Sequence, residues 1–293
     1  MSYALYMPTK ILADTENGEI LVRFHAIYWP AILMAASLPL PGKIVAHSHW
    51  TMNKTKMSKS QGNVIEPFAE MDRYGRDTVR FFLCQFGGGL ATDSDYSHAM
   101  LRESYRRLQG QLGNLASRVF SPSLLTRLEH LDRGSYQVVS RADHGQPDSQ
   151  PTAFFIRRPL PKAKIPPLDE LFESTASRFE ADMTRCELAQ ALDGLFKLIS
   201  EVNARLQIMR PWWVKASASS YVNSLYEAQE VLRLAATLLE PFMPSKMREL
   251  RDLLQMPSVE PWEDAIRMRE RICVLKRDEK IEPLFPPLPF PEE

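Results

Sequence analysis

Three lysines and three hydroxyl side chains crowd the segment from Lys54 to Gln61, which contains no acidic residue and whose centre reads Lys56-Met57-Ser58-Lys59-Ser60. Mobile ammonium groups beside hydroxyls, followed by the freely turning Gly62, suit a polyphosphate. In adenylyl transfer, negative charge grows between the α-phosphate and the departing pyrophosphate, and such cations stabilise it. By residue type alone the segment also reads as a solvated basic turn. Two further spacings stand out. His25 and Tyr28 lie three apart, so one helical face can carry both. Asn114 and Arg118 lie four apart on one face, and Trp212 follows Pro211.

These groups need elements to hold them. Phe24 to Leu38 is an apolar run too long for one strand and is expected to be a buried helix. Ile44 to His47 reads as a short strand leading into the basic segment. Apolar groups at helical spacing fill Phe68 to Phe86, with an interruption near Asp72–Asp77. From Tyr96 to Val119 a long helix is expected, with Leu101, Tyr105, Leu108, Leu112, Leu115 and Val119 inward and Arg102, Arg106, Arg107 and Arg118 on its other faces. Residues 129–170 are rich in proline and poor in apolar positions, which reads as a linker or surface insertion. Helical periodicity resumes over Leu171–Met209, until Pro211, and over Tyr221–Leu239. A shorter helix is expected near Ser245, placed to cap it.

Totals exclude several classes. With 293 residues, 44% apolar and 25% charged, the chain has the composition of a two-domain globular protein. No run approaches the roughly 18 apolar residues of a membrane span, and no signal or transit peptide pattern opens the sequence. Basic and acidic residues balance at 36 each, so any attraction to nucleic acid is local. Cys84, Cys186 and Cys273 are far apart and lack a CxxC pair, which excludes a disulfide scaffold; free thiols and no zinc site are expected.

Lys56-Met57-Ser58-Lys59-Ser60 is the full KMSKS signature of class I aminoacyl-tRNA synthetases. With Phe24-His25-Ala26-Ile27-Tyr28-Trp29-Pro30-Ala31, Val45-Ala46-His47, Asp72-Arg73-Tyr74-Gly75-Arg76-Asp77, Gly113-Asn114-Leu115-Ala116-Ser117-Arg118, Asn203, Arg210-Pro211-Trp212 and Leu239-Glu240-Pro241-Phe242-Met243-Pro244, the chain resembles methionyl-tRNA synthetase of organellar or bacterial style. The resemblance runs to Pro286 and skips 129–170.

That resemblance implies a mainly α fold: a truncated remnant of a Rossmann-type α/β catalytic domain, then an α-helical-bundle anticodon-binding domain. The expected boundaries are 1–95 for the remnant and its connecting region, 96–282 for the helical domain with its linker, and 283–293 for a Pro-rich tail. Lys59 resembles the mobile cation that supports adenylyl transfer, and Lys56 a supporting phosphate contact. His47 matches a nucleotide-contacting position, although Ser48 stands where the family carries glycine. His25 and Tyr28 resemble the residues lining the methionine pocket. Asn114, Arg118 and Trp212 resemble the anticodon-reading set, in which an unstacked base meets a ring and offers its edges to Asn and Arg. Arg102, Arg106, Arg107, Arg205 and Arg210 would touch phosphates.

The implied activity is ligation of methionine to tRNA(Met) through methionyl-adenylate, with ATP and Mg2+ as the substrate complex. No His-Ile-Gly-His-type motif is present, so residues 1–50 hold only the last helix and strand of the parallel sheet. Activity of the chain alone is therefore doubtful. A shortened gene product, a partner chain supplying the missing N-terminal half, and a repurposed non-catalytic tRNA-binding protein are the alternatives. The mitochondrial matrix is the expected compartment, with the cytoplasm as alternative.

Overall fold

The computed structural model describes residues 11–12, 23–46, 50–52, 54–57, 62–87, 93–129, 137–139, 153–157, 168–212, 217–257, 260–275 and 280–288. It is mainly helical, with a small parallel sheet preceding an extensive helical region, as the sequence implies. Two compact units are present: residues 1–103 with 181–192, and residues 104–180 with 193–293.

In the first unit, β1 (Ile11–Leu12) pairs in parallel with β2 (Val45–Ala46). Between them lie a π-wound turn, Phe24–Tyr28, and helix α1 (Trp29–Ala35), which Pro30 starts from its first turn. The expected burial of this helix is not met. Ile32 and Met34 are 65% and 66% exposed, and no residue of either segment is buried. An apolar face is covered only where an opposing surface is supplied, and among the described residues this parallel ladder has two strands.

Strand β3 (Trp50–Met52) is the centre of a second sheet. It pairs antiparallel with β4 (Thr55–Lys56) and parallel with β5 (Ser94–Tyr96). Helices α2 (Pro67–Tyr74) and α3 (Arg76–Gly87) make the crossover between β4 and β5. Glu66 caps α2 by accepting from Phe68 N–H. Gly75, at φ +84°, separates the helices at the expected interruption. The core of this unit is Tyr74, Val79, Phe81, Phe82, Tyr96 and Leu101.

Helix α4 (His98–Arg107), a π-wound segment (Leu108–Gly113) and α5 (Asn114–Val119) form the expected long helix. The wide turn has identifiable partners in the second unit. Asn203 Nδ2 donates to Gln111 O (3.1 Å), and Gln109 Nε2 donates to Phe285 O (3.2 Å). A Cβ on Gly113 would stand 3.3 Å from the Phe285 ring, so a small residue belongs there. Helices α6 (Pro122–Glu129), α7 (Asp169–Arg185), α8 (Leu188–Met209), α9 (Ala218–Leu238), α10 (Pro244–Leu254) and α11 (Trp262–Ala265) complete the helical set. Sequence periodicity merges α7 and α8, but a left-handed Cys186 (φ +63°) divides them. Ser245 does not cap α10; Met243 holds the cap position without a side-chain bond, and Pro244 opens the helix.

The expected linker at 129–170 is partly ordered as sheet. Strands β6 (Gln137–Val139) and β7 (Ala153–Arg157) pair antiparallel, and β7 pairs with β8 (Arg271–Leu275). The second partner of β7 lies more than a hundred residues downstream, so the local pattern does not announce the sheet.

Helix α9 is buried on nearly every side, polar residues included. Arg233, 2% exposed, donates from Nε and Nη2 to Glu230 (3.1 and 3.0 Å) and from Nη1 to Glu260 (3.1 Å) and Ala265 O (3.1 Å). Removing one partner of such a buried pair strands the other charge, at a cost of about 3–5 kcal/mol. Arg233→Met is expected to lower the unfolding free energy of the chain by about that amount in urea titrations. A loss below roughly 1 kcal/mol would refute the assignment.

Glu227 behaves differently. Burial pushes its carboxyl up to about 7; Asp169 and Glu201 add to this, while Arg205, 3.6 Å away, opposes it. Between about pH 4.5 and 7 the folded protein keeps a proton that the unfolded chain releases, so stability falls as pH rises through this window. Glu227→Gln is expected to stabilise the chain by roughly 2–3 kcal/mol at pH 8 and by little at pH 4. Thermal unfolding of both proteins at both pH values checks this.

Candidate functional site

The lysine segment leaves the hairpin formed by β3 and β4. Lys56 is the last residue of β4. Lys59 and His47 lie outside the described residues, as does the side chain of Lys56. One hydrogen-bonding group at the base of this hairpin escaped the sequence reading. Asp95 Oδ1 accepts from Thr51 Oγ1 (2.6 Å) and from Lys54 N–H (2.8 Å). A carboxylate whose partners are some forty residues away gives no local signal in the sequence.

His25 and Tyr28 lie in the π-wound turn rather than in an α-helix. That winding brings Tyr28 edge-on to Phe24 (5.4 Å between ring centres) and His25 toward Trp29 (6.4 Å). Tyr28 is 51% exposed, in an apolar surface shared with Phe24, Ile27 and Ile32.

In the second unit Arg118 and Trp212 meet. The Arg118 guanidinium carbon lies 5.4 Å from the Trp212 ring centre, a cation–π distance. They line a recess with Val119, Leu124, Leu206, Pro211, Leu225 and Ala228. Trp212 is 46% exposed. By contrast, Arg118 Nη1 is buried and finds no hydrogen-bond partner among the described residues. Burial also lowers the guanidinium's affinity for its proton. The open face of the Trp212 ring can stack a planar group, with the Arg118 cation beside it. Asn114 stands one turn before Arg118 on α5.

The local backbone explains the placement of Trp212. Helix α8 ends at a left-handed Arg210 (φ +45°), which reverses the chain at Pro211. Arg127 Nη1 donates to Pro211 O (2.6 Å) while its guanidinium lies over the Tyr221 ring (5.1 Å). Tyr221 in turn donates to Leu124 O. Arg127 was missed in the sequence because helix α6 was not read at all.

Two arginines expected to face phosphate are taken up internally. Arg205 is 8% exposed and pairs with Glu201 (2.9 Å). Arg107 pairs with Asp193 (2.9 Å) and lies over the Phe196 ring (4.7 Å). Among the described residues no group of three or more His, Cys, Asp or Glu side chains could hold a metal ion. No helix among them is long and apolar enough to cross a membrane.

Comparison with known proteins agrees with this layout. A family model described as class I tRNA synthetases (M) matches residues 17–120. The probable mitochondrial methionine–tRNA ligase of Neurospora crassa is 39% identical over 244 residues, covering 81% of this chain and 36% of that protein. The methionine–tRNA ligase of Bacillus subtilis is 32% identical over 311 residues, covering 97% and 42%. A crystal structure of Mycobacterium tuberculosis methionyl-tRNA synthetase bound by methionyl-adenylate superposes with a TM-score of 0.68 at 27% identity, over 95% of this chain and 50% of that one. The chain thus spans about two fifths of the length of these curated relatives. Sequence, fold and family model together make the chain a homologue of the methionyl-tRNA ligases, within class I of the aminoacyl-tRNA synthetases.

Proposed function

We propose that this chain supplies the C-terminal half of a methionine–tRNA ligase. Residues 1–95 would form the end of the catalytic domain with its lysine loop, 96–282 the anticodon-binding domain, and 283–293 a tail. The observation that carries the reading is the Arg118–Trp212 recess, found in a chain whose relatives are methionine–tRNA ligases.

In the proposed reaction the methionine carboxylate attacks the α-phosphorus of Mg2+-bound ATP, forming the acyl–phosphate bond as pyrophosphate leaves. A hydroxyl of the 3′-terminal ribose of the tRNA then attacks the methionyl carbonyl, forming the ester as the acyl–phosphate bond breaks and AMP leaves. Lys59 and Lys56 neutralise charge on the departing phosphates, and His47 contacts the nucleotide. His25 and Tyr28 contribute to an apolar, aromatic pocket for the methionine thioether. Asn114, Arg118 and Trp212 read the CAU anticodon. A partner or preceding polypeptide supplies the remaining parallel strands and ATP contacts, and covers the exposed face of Ile32 and Met34. The mitochondrial matrix is the proposed compartment. The fungal relatives named mitochondrial favour it, while the bacterial relatives match as well.

Two measurements separate this reading from that of a tRNA-binding module without catalysis. The 293 residues alone are expected to give no methionine-dependent ATP–pyrophosphate exchange above background, and the bacterial N-terminal half added in trans is expected to restore it. Exchange by the chain alone would overturn the requirement for that half. Binding of methionine tRNAs without exchange in the mixture would favour the non-catalytic module. In gel shifts, Trp212→Ala is expected to weaken binding by about tenfold or more, the worth of one stacked base, and to erase preference for the CAU anticodon. Unchanged affinity and selectivity would reject Trp212 as a reader.

A further inference from the structure

The hairpin that launches the lysine loop is small. Among the described residues, Thr51↔Lys56 and Met52↔Thr55 are the pairs across it, and so short a ribbon is marginal by itself. Its turn also includes Lys54 at φ +62°, a conformation with a steric cost for any residue bearing a Cβ. Something must hold this turn.

We propose that Asp95 is a positioning residue for the lysine segment, fixing Lys54 and the turn before β4, the strand that ends at Lys56. A single oxygen, Oδ1, accepts both the Thr51 hydroxyl at 2.6 Å and the Lys54 N–H at 2.8 Å. The first bond grips the central strand of the sheet. The second satisfies the donor on the left-handed residue itself. Together they hold the Asp95 carboxyl below the usual carboxylate range.

Asp95 can act as a clamp because its own strand is anchored. It stands opposite Thr51 in the parallel β3–β5 ladder. Ser94 Oγ donates to Phe86 O at the end of α3 (2.8 Å). On the other side Tyr96 is buried edge-on to Phe82 (5.6 Å between ring centres), whose ring also meets Trp50 (5.7 Å). The route from the hydrophobic core of the first unit to the loop thus passes through β5, Asp95 and the turn to β4. Lys56 closes that strand, and Lys59 is three residues beyond. The inference rests on the ligase reading for the meaning of the loop, but the clamp itself is a matter of geometry.

Trypsin reads the clamp directly, because it cleaves after Lys54, Lys56 and Lys59. On the full chain, Asp95→Ala is expected to speed cleavage at these three bonds by about fivefold or more, the worth of one net hydrogen bond, while cleavage elsewhere in the chain stays as in the native protein. Asp95→Asn keeps an acceptor oxygen in place and is expected to return the rate to within about twofold of the native chain. Thr51→Val removes one bond of the two and is expected to fall between, which keeps the proposal testable if the alanine variant does not fold. Equal cleavage in all four proteins would overturn the clamp. Faster cleavage throughout the chain with a lowered melting temperature would also overturn it, by showing a general structural role. The assay uses neither ATP nor tRNA. A failed exchange or tRNA assay therefore leaves the clamp standing, and an unclamped loop leaves the ligase reading standing.

Discussion

A guanidinium without access to water organises the helical unit. Taking Arg233 and its carboxylate partners out of solvent is costly unless every donor is met, and here the donors reach Glu230, Glu260 and the carbonyls of Ala265 and Arg267. Glu230 and Glu260 also accept from Arg269, through its backbone N–H and its guanidinium respectively. Helix α9 is thereby tied to the chain between α10 and β8. Gln229 continues the seam by donating to Cys273 O (2.7 Å), as does Tyr226 by donating to Arg269 O. With α9 fixed, Tyr221 at its start holds α6, and α6 holds the turn that presents Trp212. The candidate anticodon recess is the far end of this chain of contacts.

How much of this could be read from the sequence follows the range of the interactions. Leu101, Leu108, Leu112, Leu115 and Val119 repeat at helical spacing, and all are buried. Gly75 and Pro211 mark breaks because their backbone preferences are local. The β6–β7–β8 sheet could not be read, since its strands are three to five residues long and its ladder joins distant segments. Arg205 looked like a surface cation because nothing in its own helix reveals Glu227 on the next one. The short helix α6 fell between a proline and a polar stretch, and Arg127 was lost with it.

The candidate site divides in the same way. Asn114, Arg118 and Trp212 were legible through their types and a family likeness, but their physical state was not. Only the fold shows that Trp212 keeps an open face while Arg118 has a buried donor with no partner among the described residues. The helix carrying His25 was legible as apolar, yet its exposure depends on what lies opposite. Parallel ladders are stable when both faces are covered, and β1 with β2 is a ladder of two strands whose neighbouring helix faces water.

The ladder between β7 and β8 sets an order of events during synthesis. Residues 153–157 emerge from a ribosome well before residues 271–275, so the sheet cannot close until the latter are made. The same delay applies to the helix that leads to Asn114, where Tyr105 on α4 and Gln109 on the π-wound segment wait for the carbonyls of Pro286 and Phe285. Closing such long loops is entropically expensive and slow. Local helical turns can form as they are made, whereas the β7–β8 ladder and the carbonyl contacts of Gln109 and Tyr105 must wait for residues 271–286.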